Sequence, residues 1–298
     1  MSERYPRIRI HARNGEILIR DGLSICFYMR RSHGEIALGV MRSLDAYLRA
    51  LGPSALGWYP DAEGDWQELD VAGWEHIRRK LRGNNCGIVT LKDTPGGAGQ
   101  YQFSYFGKSL DAPLFVNNPG AVCAVEFWLP TEYLEEHGPA RVRELAAPLP
   151  FNSGHAGLSF NALGQLLGVF GEIRQLCFRY SGMDIRNMED VAWDIGTRVR
   201  GAHWLTFLGQ PVLGELGSVT GPRARLSSPD ITIQELEGER AVVTLGQWPE
   251  AGDTQQGLDL PLHRELARVL EPWLHRRRNP WSGFSEEDMR RWERRFLD

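Results

Sequence analysis

The chain has only four cysteines, Cys26, Cys86, Cys123 and Cys177, and they are far apart. No Cys-x-x-Cys pair exists, which excludes the common structural zinc sites. Cys26 and Cys123 sit in apolar strand-like runs and Cys177 on an apolar helical face, so buried free thiols in a reducing compartment are expected. Lysine is scarce too, confined to Lys80, Lys92 and Lys108. None stands in the Glu-x-Lys pair with which a restriction-type nuclease holds a divalent ion, so the sequence gives no ground for nuclease activity. Also absent are a Gly-x-Ser-x-Gly elbow, a Walker phosphate loop and a His-Glu-x-x-His helix. No apolar run approaches the roughly 20 residues that span a bilayer. The opening residues Met1-Ser2-Glu3-Arg4-Tyr5-Pro6 lack the apolar stretch of a secretory signal. A cytoplasmic protein with no membrane partner is expected.

Charge is nearly balanced, at a net of -4 over 298 residues, which argues against a general nucleic-acid binder. From His263 onward nine arginines meet seven acids, a net of +2, so the body before it carries -6. A hydrophobic share of 42% supports a sizeable core. The length fits one domain of residues 1–298, divisible into halves at 1–118 and 119–298.

Periodicity sets the elements. Ile8, Ile10 and Ala12 alternate with charged neighbours, Asn14-Gly15 marks a hairpin turn, and residues 16–20 return as a strand. Asp21-Gly22 reads as a second turn, leading to a buried third strand over residues 23–29. Ser32 with Glu35 forms a capping box for a helix whose face is Ile36, Val40, Leu44 and Leu51, stopped at Gly52-Pro53. A second helix covers Val71–Arg82. Strands follow at residues 88–91, around Tyr101, Phe103 and Tyr105, and at residues 122–129. Pro130-Thr131 opens a helix interrupted near Gly138-Pro139. Further strands are expected at residues 156–160, Leu205–Leu208, Ile231–Leu236 and 241–245. Leu163 to Cys177 suggests a helix, and two more end the chain, the last capped by Ser285 and Asp288. Strands and helices mix without strict βαβ alternation, so the expected class is α+β: antiparallel or mixed sheets packed by amphipathic helices, in two similar strand-helix halves.

Ten tryptophans are many for this length. Two of them open acidic turns, Trp58-Tyr59-Pro60-Asp61-Ala62-Glu63-Gly64-Asp65-Trp66 and Trp248-Pro249-Glu250-Ala251-Gly252-Asp253. Proline, glycine and acids mark exposed turns, and tryptophan is enriched at contact hot spots. The pattern predicts two presented acidic loops. The plain alternative is two ordinary connections that share turn chemistry, with the tryptophans in the core. Asp61, Glu63 and Asp65 alternate as calcium ligands do, but the glycine offset and downstream Glu of a calcium loop are missing. No metal and no cofactor is expected. The competing enzymatic reading is a hydrolase or transferase using His155 or His203 with a nearby acid; a packed histidine with an ordinary hydrogen bond is the commoner role.

Four stretches carry a family resemblance: residues 25–33 (Ile-Cys-Phe-Tyr-Met-Arg-Arg-Ser-His), 127–134 (Phe-Trp-Leu-Pro-Thr-Glu-Tyr-Leu), 153–160 (Ser-Gly-His-Ala-Gly-Leu-Ser-Phe) and 204–209 (Trp-Leu-Thr-Phe-Leu-Gly). With the Trp248 turn, they resemble the type VI secretion immunity proteins for VRR-type nuclease toxins, formerly a domain of unknown function and numerous in myxobacteria. The similarity runs from about Ile8 to about Leu274. It implies an antidote with no catalysis of its own, bound to a cognate toxin with a restriction-endonuclease-like nuclease domain, and no nucleic-acid partner. On that reading Asp61, Glu63 and Asp65 mimic phosphate charge with Trp66 as anchor. Trp248, Glu250 and Asp253 form the second candidate patch.

Overall fold

A computed structural model describes residues 5–298 apart from 53, 84–85, 138–141, 143, 164–165 and 167. The expected helix break at Gly138-Pro139 lies outside the described residues. One large sheet organises the chain, and its class is α+β as expected. Its strands are β1 (Arg9–His11), β2 (Ile17–Met29), β3 (Trp58–Pro60), β4 (Trp66–Glu68), β5 (Gly87–Lys92), β6 (Gln102–Gly107), β7 (Cys123–Leu129), β8 (Ser153–Ala162), β9 (Asp184–Ile185), β10 (Leu205–Leu208), β11 (Ile231–Leu236) and β12 (Arg240–Leu245). They run in the order β11-β12-β10-β8-β2-β7-β6-β5-β3-β4, with β1 on β2 and β9 on β8. The described pairings are antiparallel except β8 with β9.

β2 is the spine. It pairs with β7 on one side and β8 on the other. The expected turn at Asp21-Gly22 does not form; the strand runs straight through both residues. The cause is packing. A Cβ on Gly22 would lie 2.3 Å from the Trp128 ring, so the glycine permits a close approach in place of a turn. Asp21 is buried and accepts the Ile8 amide at 2.7 Å, which ties β1 to the spine. The turn at Asn14-Gly15 does form, with Gly15 at φ 88°.

Alternation along β2 feeds two cores. Ile25, Phe27 and Met29 face the main core, while Cys26 and Tyr28 face a smaller one with Val122, Ala124 and Val191. Both sheet faces are therefore covered, and residues 23–29 read as one apolar run. Phe27 packs on Phe207 and Phe151 at 5.0 and 5.5 Å between ring centres. Each such buried aromatic contributes about 1.5–3 kcal/mol.

Helices α1 (His33–Leu51) and α2 (Val71–Arg82) match expectation closely. Glu35 reaches back to the Ser32 amide at 2.7 Å, and Asp70 caps α2 through the Gly73 amide at 2.8 Å. Ile36, Val40 and Leu44 of α1 meet Ile77 and Leu81 of α2 in the main core. Next come α3 (Thr131–His137), α4 (Val169–Arg179), α5 (Pro261–Leu270) and α6 (Glu286–Glu293). Leu266 and Leu270 of α5 close a third core over β10 and β12 with Leu208, Val243 and Leu245. Cys26, Cys123 and Cys177 are buried, and Cys86 is exposed. No helix among the described residues is long and apolar enough to cross a membrane.

Candidate functional site

The first acidic turn closes the β3–β4 hairpin at one end of the sheet. Its three acids have different roles. The Asp61 carboxylate accepts the Asp65 amide at 2.9 Å, the Glu63 amide at 3.1 Å and the Gln67 side-chain amide at 2.8 Å. Desolvation opposes ionisation there, yet the Gln67 and backbone amides together hold Asp61 below the usual carboxylate range. Gly64, at φ 93°, supplies the left-handed step. Asp61 is thus committed to shaping the turn. Glu63 and Asp65 are exposed at its tip. Trp66 is half-buried, with the Lys92 ammonium 5.0 Å from its ring centre. Lys92 in turn donates to the Gly97 carbonyl at 2.8 Å, and burial lowers its pKa to about 8.

The second turn follows β12. Asp253 is buried: Arg179 donates to it at 2.8 Å and its carboxylate takes the Gln255 amide at 3.0 Å. The Arg179 hydrogen bond lowers its pKa, with the backbone amides adding to the effect. Trp248 is half-buried against the main core, and Glu250 is exposed. All three line a cavity of about 830 Å³ whose wall also includes Arg179, Asp230 and Asp259. β12 and β4 are eight strand positions apart in the sheet. At 4.7–4.9 Å per step that is roughly 38 Å along the sheet, which sets the two turns toward its opposite ends.

His155 and His203 do come together, stacked at 4.3 Å between ring centres. Their nearby acid is Asp184, delivered by the parallel pairing of β9 on β8. His203 Nε2 lies 3.0 Å and His155 Nε2 3.8 Å from Asp184 Oδ2. Arg200 stands 3.3 Å from Asp184 Oδ1. Burial alone would raise the Asp184 pKa, but Arg200 and the histidines hold it well below the usual range. Burial, then the neighbouring His203, pushes His155 well below an ordinary histidine. The side chains of this cluster are 3–6% exposed, and they line none of the five principal cavities. The His155, Asp184 and His203 ligand atoms lie within 4.8 Å of one another, as a cation would need. The fit fails on charge, because the Arg200 guanidinium already neutralises the one carboxylate and would repel a metal at that range. The cluster reads as an internal ion pair that fixes β8, β9 and β10.

Two networks escaped the sequence. Asp184 and Arg200 carry no local signature, since their partners arrive from other strands. The same holds for Arg186, which donates to Glu126 at 2.6 Å and to Gln102, Asn161 and Ser104 at 3.0–3.1 Å.

A family model, TsiV, described as type VI immunity for VRR-NUC, matches residues 39–296. Among solved structures, the chain is similar to a Pseudomonas aeruginosa T6SS protein, PA0821, with a TM-score of 0.80 and 17% identity. The match covers 99% of this chain and 88% of that one. At that identity the likeness establishes the fold. No curated protein matches.

Proposed function

The chain belongs to the TsiV family of type VI immunity proteins for VRR-NUC, and from that premise we propose that it binds a nuclease toxin and blocks it through the exposed acidic hairpin of residues 61–65. The supporting observation is the division of labour in that turn. Asp61 holds the backbone rigid, which leaves Glu63 and Asp65 projecting with their charge unspent. A nuclease presents a basic groove to DNA phosphates. Two carboxylates on a preorganised loop can occupy such a groove as phosphates would, and complementary charge speeds encounter. Trp66, half-buried beside them, is the anchor that slows release.

Glu250, at the rim of the 830 Å³ cavity beside Trp248, is the second candidate contact. Its distance from the hairpin means that a toxin must be large, or bind one surface at a time. Asp253, buried and paired with Arg179, supports that turn and is assigned no direct contact on this reading. On this reading the protein has no catalysis of its own and works in the cytoplasm, where a DNA-cutting toxin acts. The test is double charge reversal, Glu63→Lys with Asp65→Lys, assayed for inhibition of a VRR-type nuclease toxin. A loss of protection with an intact fold supports the hairpin; unchanged inhibition moves the interface to the Glu250 surface.

A further inference from the structure

Arg20 is a buried cation with no ion-pair or hydrogen-bond partner among the described residues. The residue is 3% exposed, its Nε makes no hydrogen bond, and it forms no ion pair with any described residue. Three acids stand near it, none within ion-pair distance; Asp21 and Glu132 are engaged elsewhere, while Asp93 keeps one buried oxygen, Oδ1, without a hydrogen bond. Asp21 takes Arg9, the Ile8 amide and Thr131. Asp93 accepts the Gln100 amide at 2.9 Å. Glu132 lies 3.7 Å from Arg9. Burial and the neighbouring Arg9 charge both depress the Arg20 pKa, against the pull of Asp21, Asp93 and Glu132.

The strand register places Arg20 directly opposite Arg9 across β1–β2. Like charges in that position destabilise a sheet, and a buried charge is costly unless paired. Both arginines line a cavity of about 430 Å³, with Gln100, Tyr101, Glu132 and Tyr133 among the other walls. The lining therefore pairs two arginines with two glutamates, Glu132 and Glu136, and adds the hydrogen-bonding side chains of Gln100 and Tyr101.

We propose that this cavity is a binding site for a small monocarboxylate, seated on the Arg20 guanidinium with Arg9 beside it. A planar guanidinium fork matches a carboxylate in bidentate fashion. The two glutamates disfavour a dianion such as phosphate but tolerate a single negative charge. The site is independent of the acidic hairpin and of toxin binding.

The test uses sodium acetate against sodium chloride at constant ionic strength, read by the unfolding midpoint and by broadening of the ¹³C-acetate NMR signal. The wild-type chain should show a saturable acetate-dependent rise and broadening. Arg20→Met should lose both, and in chloride it should unfold at the same or a higher temperature, because an unpaired charge has left the interior. Arg20→Lys keeps the charge without the fork and should weaken acetate binding severalfold. Acetate acts on proteins generally by surface exclusion, so an equal acetate effect in wild type and Arg20→Met overturns the site. So does selectivity for inorganic phosphate over acetate. A lowered midpoint of Arg20→Met in chloride also overturns it, since Arg20 would then be paired internally.

Discussion

The carboxylate of Asp61 accepts the backbone amide of Asp65 at 2.9 Å, so the first acid of the exposed hairpin supports the last. The three acids of this turn are not equivalent. Asp61→Asn keeps the acceptor oxygen and should leave toxin affinity within about threefold, whereas Asp61→Ala removes it, at about 1 kcal/mol in affinity through a loosened loop. Calorimetry on the two variants checks the contrast. Equal losses would show that the Asp61 charge, and not its hydrogen bonds, matters.

Asp253, a candidate contact in the sequence, pairs with Arg179 at 2.8 Å. Asp253→Ala should lower the unfolding midpoint while leaving toxin affinity unchanged, as thermal denaturation and calorimetry on one sample would show. The Arg179 pairing depresses the Asp253 pKa. Its contribution is present above the unfolded carboxylate pKa of about 3.9 and is lost as pH falls through the lower folded value.

Asp184 should tolerate substitution poorly. Asp184→Asn leaves Arg200 buried without a counter-charge, and breaking such a pair costs about 3–5 kcal/mol. Urea denaturation measures it. A loss below 1 kcal/mol would mean that the cluster is hydrated and open, which would revive the enzymatic reading.

Acid should destabilise the fold through its histidines. Burial lowers the His263 pKa to about 3 and drives His155 well below its ordinary value. Both are neutral in the folded chain and protonate on unfolding below about pH 6.5. The unfolded state then binds more protons, so stability falls with falling pH, by up to about 1.4 kcal/mol per pH unit for each histidine. Denaturation midpoints at pH 7.5, 6.0 and 5.0 test this. A flat profile would contradict the neutral buried state.

Gly22→Ala should cost about 1–3 kcal/mol or more by overpacking, since the new methyl meets the Trp128 ring at 2.3 Å and the Leu129 carbonyl at 2.7 Å. An unchanged chemical denaturation midpoint would mean that the Trp128 ring yields freely.

Local signals in the sequence were readable where they were sufficient. The periodicity of residues 71–82 predicts α2 to the residue, and Asn14-Gly15 makes its turn. Asp21-Gly22 carries a similar turn signal and makes none, because Trp128, more than a hundred residues away, decides what that glycine is for. The acidic hairpin was legible as an exposed turn, but the role of each acid depends on hydrogen-bond geometry that spacing does not encode. His155 and His203 were visible as candidates. The acid beside them was not, because Asp184 reaches them only through the pairing of β9 with β8. Arg20 ends the strand expected over residues 16–20, and no local signal marks its burial, since β1 and the residues that share its cavity meet it only in the fold.

The most direct measurement is calorimetric titration of this chain into a VRR-type nuclease toxin domain, at two salt concentrations, with DNA cleavage followed in parallel. An electrostatically steered antidote should bind at nanomolar affinity, bind more weakly as salt rises, and abolish cleavage. Absence of binding, or binding that leaves cleavage intact, would contradict it.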